Sequence, residues 1–174
     1  IFHRFSSASL TTSIMLLSIS LFFYTFPNFS YRVVSDIVQV DMTKQVECLT
    51  KNIYYEAANQ SFEGKLAVAQ VTVNRTNAPG FPSDICGVVY QRTINNGVTV
   101  CQFSWTCENT NRPRNPYLWE EARYIAIKVL TSPLEHDKIK AEKVLYYHAD
   151  YVNPGWNKNQ IVAHIGNHIF YRKI

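Results

Sequence analysis

The chain has 174 residues, of which 47% are hydrophobic and 17% are charged, and its formal net charge is +4. This length accommodates one globular domain with its own core and excludes two enzyme-sized domains. The hydrophobic content excludes a disordered chain, and the six glycines exclude a collagen-like one. The small positive charge is no nucleic-acid signature, so we expect no nucleic-acid partner.

The amino-terminal segment is far more apolar than the rest of the chain. No charged residue lies between Arg4 and Arg32. The stretch from Leu10 to Phe29 is long enough to cross a bilayer as a helix, which takes about 20 residues. A cleaved signal peptide is the alternative, although no small-residue cleavage site follows, and a buried core helix is a third. We predict that residues 1–42 are a membrane anchor or signal segment plus a linker.

The cysteines indicate the compartment independently. All four lie beyond the apolar segment, and their even number fits an exported domain with disulfides. Of the three possible pairings we favour Cys101 with Cys107, which are close in sequence, and Cys48 with Cys86. Reduced buried thiols are the alternative, and a four-cysteine zinc site is disfavoured because no C-x2-C pair exists. We therefore expect the folded domain in the cell envelope, on its periplasmic or extracytoplasmic side.

Three amphipathic helices are predicted from apolar residues at three- and four-residue spacing. The first runs from Thr43 to Ala58, with Thr43 as its N-cap. The second is capped by Ser61 and runs to about Arg75. The third runs from Tyr117 to Leu130, with a polar face turned to solvent that carries Glu120, Glu121, Arg123 and Lys128.

The remaining segments predict a short helix, connectors and a small sheet. Residues 82–91 favour a short helix, residues 94–116 an irregular stretch and residues 138–143 a solvated charged connector. Residues 144–148 are β-prone, and residues 162–171 form a hairpin around Gly166-Asn167. Helices followed by a small antiparallel sheet predict an α+β fold, with one domain over residues 43–174.

Glu56 is the first candidate for chemistry. It lies on the predicted helix after Leu49 and Ile53, at the edge of the apolar face and beside Tyr54 and Tyr55. A half-buried carboxyl group among aromatic rings has a raised pKa, as a general acid requires. Most glutamates at the edge of a helix's apolar face nevertheless have a structural role. The surrounding residues must therefore show whether Glu56 is catalytic.

Three blocks of sequence surround this candidate in order. The first reads Ile53-Tyr54-Tyr55-Glu56-Ala57-Ala58 and continues through residues 63–71 to Asn74-Arg75. The second covers residues 81–91 and Cys101 to Cys107. The third covers residues 147–152, Trp156 and residues 165–171. In this order and spacing the chain closely resembles the SleB/CwlJ-like cell wall hydrolase family over about residues 47–172.

The resemblance implies a lysozyme-like helical domain with a small C-terminal antiparallel β-sheet, which cuts peptidoglycan glycan strands between N-acetylmuramic acid and N-acetylglucosamine. Glu56 matches the family's catalytic glutamate. In the spore members this acid protonates the glycosidic oxygen and the muramic 6-hydroxyl attacks, which leaves a 1,6-anhydro end. We therefore expect a lytic transglycosylase without cofactors, whose partners are the glycan strands and, through its amino-terminal segment, the membrane. We expect a monomer.

The chain departs from its relatives near the candidate acid. Relatives often read Glu-Ala-Arg-Gly-Glu, whereas this chain reads Glu56-Ala57-Ala58-Asn59-Gln60, without the arginine and the second acid. Where relatives commonly read Thr-His-Tyr-His, it has Leu145-Tyr146-Tyr147-His148. Glycosidases ordinarily use two carboxylates; the candidates for a second are Glu63, Glu108 and Asp150. We interpret Glu63 as an N-terminal helix charge.

Other residues are candidates for a sugar cleft. Asn74, Gln102 and Ser104 are neutral hydrogen-bonding residues suited to hydroxyl and acetamido groups, and the predicted Cys101–Cys107 loop would hold two of them rigidly. Aromatic rings stack on sugar faces, and the candidate rings, together with the neighbouring histidine, are Trp105, Tyr146, Tyr147, Trp156 and His148. Core packing is the alternative for each ring.

Two other functions use the same residues. His148, His164 and His168 suggest a zinc-dependent peptidoglycan peptidase or amidase. On extended strands, however, four residues at about 3.3 Å each separate His164 from His168 by roughly 13 Å. We therefore expect no metal site. The altered residues after Glu56 leave open a non-catalytic wall-binding module.

Overall fold

The computed structural model describes residues 29–108, 113–132, 134–172 and 174. The chain divides into two units, residues 1–41 and 42–174, and the candidate site lies in the second. Residues 1–28, which contain most of the expected anchor or signal segment, lie outside the described residues. Within the described ranges, none of the helices combines the length and apolar character that a bilayer span requires.

Helix α1, Phe29–Ala57, begins well before the predicted start. The expectation that Thr43 is an N-cap is therefore wrong, because this residue lies inside the helix. The physical reason is that no glycine or proline interrupts the sequence from Phe29 to Ala57, so nothing ends the helix there. Its last turns bury Leu49, Ile53 and Ala57 in the core.

Helix α2, Phe62–Thr76, lies at the centre of the domain and confirms the predicted second helix. Ser61 caps it by accepting a hydrogen bond from the Gly64 amide at 3.2 Å. Its buried small residues allow close packing of neighbouring elements. Helix α3 is shorter than predicted, Ile85–Val89, and is capped by Asp84, whose carboxylate accepts a bond from the Gly87 amide at 2.9 Å.

Helix α4, Pro116–Thr131, confirms the predicted third helix, and Asn115 is its N-cap. Its inner face buries Ala122, Ile125 and Ala126. The expectation that Glu121 faces solvent is wrong. Its carboxylate lies 2.6 Å from the ammonium of Lys65, which is only 3% exposed. A buried cation on α2 needs this partner, because an unpaired buried charge is costly.

A fifth helix replaces the connector expected at residues 138–143. Helix α5, Asp137–Ala141, begins after His136, its N-cap residue. Ile139 is fully buried although charged residues flank it. One anchoring apolar residue therefore folds the segment against the core, and the charges around it stay at the surface.

Strands β1, Arg92–Asn95, and β2, Val98–Cys101, form an antiparallel hairpin within the stretch expected to be irregular. Asn96 and Gly97 both have positive φ angles, 48° and 77°. Two such residues make the type I′ turn that matches the twist of paired strands. The Asn-Gly pair was the sequence signal for this hairpin. A 3-10 turn, Ser104–Thr106, follows it.

The carboxyl-terminal sheet contains β3, Tyr146–Ala149, β4, Ile161–Ile165, and β5, His168–Tyr171, in the antiparallel order β3-β5-β4. The predicted β4–β5 hairpin is confirmed. A short 3-10 turn, Lys158–Gln160, leads into β4. At the hairpin turn Gly166 has a φ of 55°, and a Cβ there would clash with the side-chain oxygen of Gln60. Helices with this small sheet make the α+β fold predicted from the sequence.

The two faces of this sheet differ. Strand register places every second residue on the same face. The inner face packs in one core cluster with Val68 and Val71 of α2 and with Ile139 of α5. It carries Tyr147, Ala163, Ile165, His168 and Phe170, and the outer face carries Tyr146, His148, His164, Ile169 and Tyr171.

Two disulfides tie the helical part of the domain together. Cys48 is bonded to Cys86, which joins α1 to α3, and Cys101 is bonded to Cys107, which closes the loop around the 3-10 turn. This is the pairing favoured from the sequence. The Cys48–Cys86 disulfide constrains the segment before the β1–β2 hairpin, and the Cys101–Cys107 disulfide constrains the segment after it.

Candidate active site

Glu56 lies in the last turn of α1, where the helix meets the inner face of the carboxyl-terminal sheet. The hydroxyl group of Tyr147, on β3, donates a hydrogen bond to Oε2 of Glu56 at 3.1 Å. The two residues are far apart in sequence, so the fold itself assembles this pair. Glu56 is half-buried at this junction of helix and sheet.

The surroundings of Glu56 favour its protonated form. Burial raises the pKa of the Glu56 carboxyl group and is the largest effect on it. The hydrogen bond from Tyr147 and the positive charge of Arg75 lower this pKa, and the charge of Glu108 raises it. The net shift is upward. A larger fraction of the group thus holds its proton near neutral pH than in an ordinary glutamate.

Tyr147 is held rigidly in its role as donor. Burial raises the pKa of its hydroxyl group well above the ordinary value, so the hydroxyl keeps its proton. Its ring packs against Phe170 with centroids 5.5 Å apart and meets His168 edge-on at 5.2 Å. The donor therefore points at Glu56 from a fixed position. It was predicted to stack on sugar, and the structure gives it this contact with the acid.

Arg75, near the end of α2, is a charged residue of the site to which the sequence assigned no role. It is 3% exposed, and its Nε donates a hydrogen bond to the Leu145 carbonyl, just before β3, at 2.8 Å. Its guanidinium lies 5.3 Å from the ring centroids of Phe81 and Phe103. Nη1 has no hydrogen-bond partner among the described residues. The only sequence signal was its place in the Asn74-Arg75 pair of the family blocks.

The three candidates for a second carboxylate are not equivalent. The charge of Glu108 acts on Glu56. The side chain of Glu63 is 67% exposed in the first turn of α2, 3.5 Å from His136, in agreement with its interpretation as a helix-end charge. Asp150 raises the pKa of His168, which burial lowers overall. Of the three, Glu108 is the one whose charge affects the pKa of Glu56, and a role for it as a second acid stays a prediction.

Asn74 has a structural role in the scaffold. Its amide nitrogen donates to the carbonyls of Ile139 at 2.9 Å and Val144 at 3.0 Å, and its oxygen accepts a bond from Gln70 at 3.1 Å. These contacts use the amide that the predicted sugar contact required. Asn74 thus fastens α2 to the segment that leads into β3, and its contact with sugar stays a prediction.

Trp105 is also a core residue and not a stacking surface. It is 7% exposed and stacks on Tyr55 with centroids 4.8 Å apart. Its indole nitrogen donates to the side-chain oxygen of Asn52 at 3.3 Å. A sugar has no access to a ring face that is packed in this way, so the prediction of sugar stacking is corrected.

Gln102 and Ser104 lie in the loop that the Cys101–Cys107 disulfide closes. Gln102 is half-buried, and its backbone nitrogen donates to the Gln91 carbonyl at 2.9 Å. Ser104 is exposed at the start of the 3-10 turn. The same loop ends beside Glu108. The contact of Gln102 and Ser104 with sugar stays a prediction.

Tyr146 and His148 lie on the opposite face of β3 from Tyr147. Tyr146 meets Trp156 edge-on at 6.1 Å, and Nε2 of His148 is 3.0 Å from the hydroxyl oxygen of Tyr171. Successive side chains of a strand point to opposite faces. Of the three residues, Tyr147 is the one with a hydrogen bond to Glu56, and the contact of Tyr146 and His148 with sugar stays a prediction.

Gln60 is one of the residues in which the chain departs from its relatives. Its side-chain oxygen accepts a hydrogen bond from the Asn167 amide at 3.0 Å. This bond ties the segment after Glu56 to the turn between β4 and β5. The departure therefore has a structural role at the site.

The described residues contain no group of three or more His, Cys, Asp or Glu side chains placed to share a metal ion. His164 and His168, two of the three residues considered for zinc, lie on opposite faces of the β4–β5 hairpin. The peptidase alternative therefore lacks an assembled ligand set in this part of the chain.

Comparison with known protein families gives a match to the cell wall hydrolase family over residues 59–171. The chain belongs to the cell wall hydrolase family. The matched range begins at residue 59 and so leaves Glu56 just outside it. Family membership is thus independent of the candidate acid.

Curated relatives of this cell wall hydrolase are spore cortex-lytic enzymes. That of Halalkalibacterium halodurans is 26% identical over 127 residues, 72% of this chain and 34% of the relative. That of Oceanobacillus iheyensis is 25% identical over 127 residues, 72% of this chain and 40% of the relative. That of Bacillus subtilis is 37% identical over 46 residues, 26% of this chain and 15% of the relative. The chain thus spans two fifths or less of these relatives' lengths.

Two solved structures share the fold. The catalytic domain of the germination-specific lytic transglycosylase SleB from Bacillus anthracis has a TM-score of 0.53 and 20% identity, covering 73% of this chain and 93% of that one. The catalytic domain of the Bacillus cereus SleB protein has a TM-score of 0.53 and 19% identity, covering 74% of this chain and 90% of that one. The cell wall hydrolase described here has the fold of those catalytic domains.

Proposed function

We propose that the protein degrades peptidoglycan by cleaving the bond between N-acetylmuramic acid and N-acetylglucosamine, as a lytic transglycosylase that leaves 1,6-anhydro ends. The family and the fold support action on the cell wall. The observation that carries the mechanism is the half-buried Glu56 carboxyl group, which has a raised pKa and accepts a hydrogen bond from Tyr147.

The hydrogen bond sets the direction of proton transfer. Oε2 of Glu56 accepts the bond from Tyr147, which itself keeps its proton. The acidic proton is therefore held on Oε1, the oxygen that Tyr147 does not contact. A general acid must present its proton within hydrogen-bond distance of the leaving oxygen. Tyr147 thus acts as a positioning residue.

The reaction needs one group that acts first as an acid and then as a base. Glu56 gives its proton to the glycosidic oxygen while the bond from that oxygen to the muramic C1 breaks. The muramic 6-hydroxyl oxygen then bonds to C1, and its proton returns to the Glu56 carboxylate. Atoms and charge balance without water, and the enzyme ends in its starting state.

The neighbouring charges suit both halves of this cycle. Burial and the charge of Glu108 favour protonated Glu56 before the first transfer. After it, the Arg75 cation and the Tyr147 hydroxyl stabilise the carboxylate that has formed. Arg75 is fixed at this position by its bond to Leu145. We further propose that the protein acts as a monomer in the extracytoplasmic envelope, with its amino-terminal segment at the membrane.

Mass spectrometry of soluble products tests this proposal. The whole chain is incubated with purified peptidoglycan, as wild type, Glu56→Gln and Glu63→Gln, the last a control at an exposed acid. We expect anhydro-muropeptides from wild type and Glu63→Gln and none from Glu56→Gln. Reducing muropeptides would mean that water, not the 6-hydroxyl, is the nucleophile.

The same assay separates the alternative functions. Release of peptides from intact glycan strands, inhibited by chelators, would indicate a zinc peptidase or amidase and would refute the proposal. Binding to peptidoglycan without release of any fragment would indicate a wall-binding module instead.

A further inference from the structure

A second concave surface lies on the outer face of the carboxyl-terminal sheet, opposite Tyr147. It is a cavity of about 290 Å³ between the strands and the segment of residues 150–158 that precedes β4. Its apolar wall includes Trp156, Ile161 and Ile169. The proposed glycan chemistry does not use this cavity.

The aromatic part of the cavity is rigid before any ligand arrives. Trp156 is half-buried and meets the rings of His148 and Tyr171 edge-on, each at 5.3 Å. Both nitrogens of His148 are engaged, one 2.8 Å from the Ala149 carbonyl and the other 3.0 Å from the Tyr171 hydroxyl. A preformed site loses little conformational entropy when it binds.

Charges of opposite sign lie among the lining residues. Asp150 and Lys158 both line the cavity and are exposed. Among the described residues, neither forms an ion pair. A carboxylate and an ammonium group beside an apolar wall complement a ligand that carries an ammonium group, a carboxylate and a short aliphatic chain.

We propose that this cavity binds the stem peptide of peptidoglycan through the free ammonium and carboxylate groups of its diamino acid. The inference rests on the proposed function, because the peptide is attached to the muramic residue that Glu56 would process. Asp150 contacts the ammonium group and Lys158 the carboxylate. The aliphatic chain between these groups lies against Trp156.

The topology of the sheet allows both contacts at once. Strand β3 is at the edge of the sheet, and its consecutive residues Tyr147 and His148 point to opposite faces. A peptide that starts beside Glu56 therefore reaches the outer face by passing over one strand. Three extended residues at about 3.3 Å each span roughly 10 Å.

Calorimetric titration of the whole chain with the tripeptide L-alanyl-γ-D-glutamyl-meso-diaminopimelate at low salt tests the site. We expect saturable binding to wild type and roughly two- to fivefold weakening in Lys158→Ala and Asp150→Asn, as for ion pairs at exposed residues. Lys44→Ala, a change at an exposed lysine of α1 that does not line the cavity, keeps wild-type affinity. No binding to wild type, or equal binding by Lys158→Ala, overturns the proposal.

Two further arms separate this inference from the glycan chemistry. Glu56→Gln binds the tripeptide like wild type, so this result stands even if the protein cleaves no glycan. On glycan strands, Lys158→Ala raises KM only where stem peptides are present, and strands stripped of peptides show no difference. An equal loss on stripped strands, or competition for the cavity by N-acetylglucosamine, would indicate a sugar site and overturn the inference.

Discussion

The two faces of β3 differ in what they contact. On the inner face, Tyr147 is fixed among aromatic rings and donates to Glu56, whose pKa is raised by burial. On the outer face, His148 contacts Tyr171 beside an open cavity with exposed charges. One strand thus separates a half-buried acid from an open cavity. Adjacent residues in sequence therefore need not share a function.

Removal of the acid on the inner face, Glu56, is expected to reduce activity the most. Glu56→Gln keeps the size of the side chain and an oxygen that accepts the Tyr147 bond, but has no proton to transfer. We expect glycan cleavage to fall by about 10²–10⁴-fold, the usual contribution of a general acid. The assay is the rate of muropeptide release, with folding checked by circular dichroism. Wild-type release by a folded variant would exclude Glu56 as the acid.

Removal of the buried cation of the inner face has the next largest effect. Arg75→Met eliminates the hydrogen bond to Leu145, and an unsatisfied buried carbonyl costs about 1–3 kcal/mol. It also removes the charge that lowers the pKa of Glu56, so this pKa rises. We expect a lower denaturation midpoint and a pH profile in which the alkaline limb moves to higher pH.

Arg123→Met is the matched control for Arg75, since Arg123 is half exposed on α4. This control leaves both the denaturation midpoint and the pH profile unchanged. A downward shift of the alkaline limb in Arg75→Met would show that the guanidinium does not stabilise the Glu56 carboxylate.

A milder change removes the donor alone. Tyr147→Phe keeps the ring packing but deletes the hydrogen bond that lowers the pKa of Glu56, so this pKa rises. An acid acts while it is protonated, and activity falls as the pH rises through its pKa. We expect the alkaline limb of the pH–rate profile to move upward, and Tyr117→Phe, at an exposed ring, to leave it in place. If the alkaline limb of the pH–rate profile stays in place in Tyr147→Phe, Tyr147 is not a positioning residue for Glu56.

The smallest effect concerns stability. The pKa of Glu56 is higher in the folded than in the unfolded chain, so the unfolded chain releases this proton first as the pH rises. The folded state loses stability through the window between these two pKa values, and the loss persists at higher pH. Glu56→Gln has no such loss, so we expect its denaturation midpoint to improve relative to wild type from acidic to neutral pH. A constant difference across that range would contradict the raised pKa.

Much of the fold followed from local sequence patterns. Helix α2, helix α4 and the β4–β5 hairpin have strong periodicity and clear end signals, and all three form as predicted. The start of α1 was missed because Thr43 resembles a cap, although no helix-breaking residue precedes it. Helix α5 was missed because Ile139 is a single apolar residue among charges, which predicts surface rather than core.

The site was less predictable than the fold. Glu56 could be selected from its position at a helix edge and from the family blocks. Alternation along β3 separates Tyr147 from Tyr146 and His148, but it does not determine which of the two faces packs on α2. Arg75 was missed because an arginine at a helix end usually reaches solvent, whereas this one is held inside by the Leu145 carbonyl and two aromatic rings.

A ¹³C NMR titration of the Glu56 carboxyl carbon, assigned by its absence in Glu56→Gln, measures the protonation of the proposed acid itself. We expect a pKa above that of an ordinary glutamate, about 4.3, and a further rise in Tyr147→Phe. A pKa at or below the ordinary one would exclude Glu56 as the acid that starts the reaction, because its carboxyl group would then hold its proton no better than an ordinary glutamate.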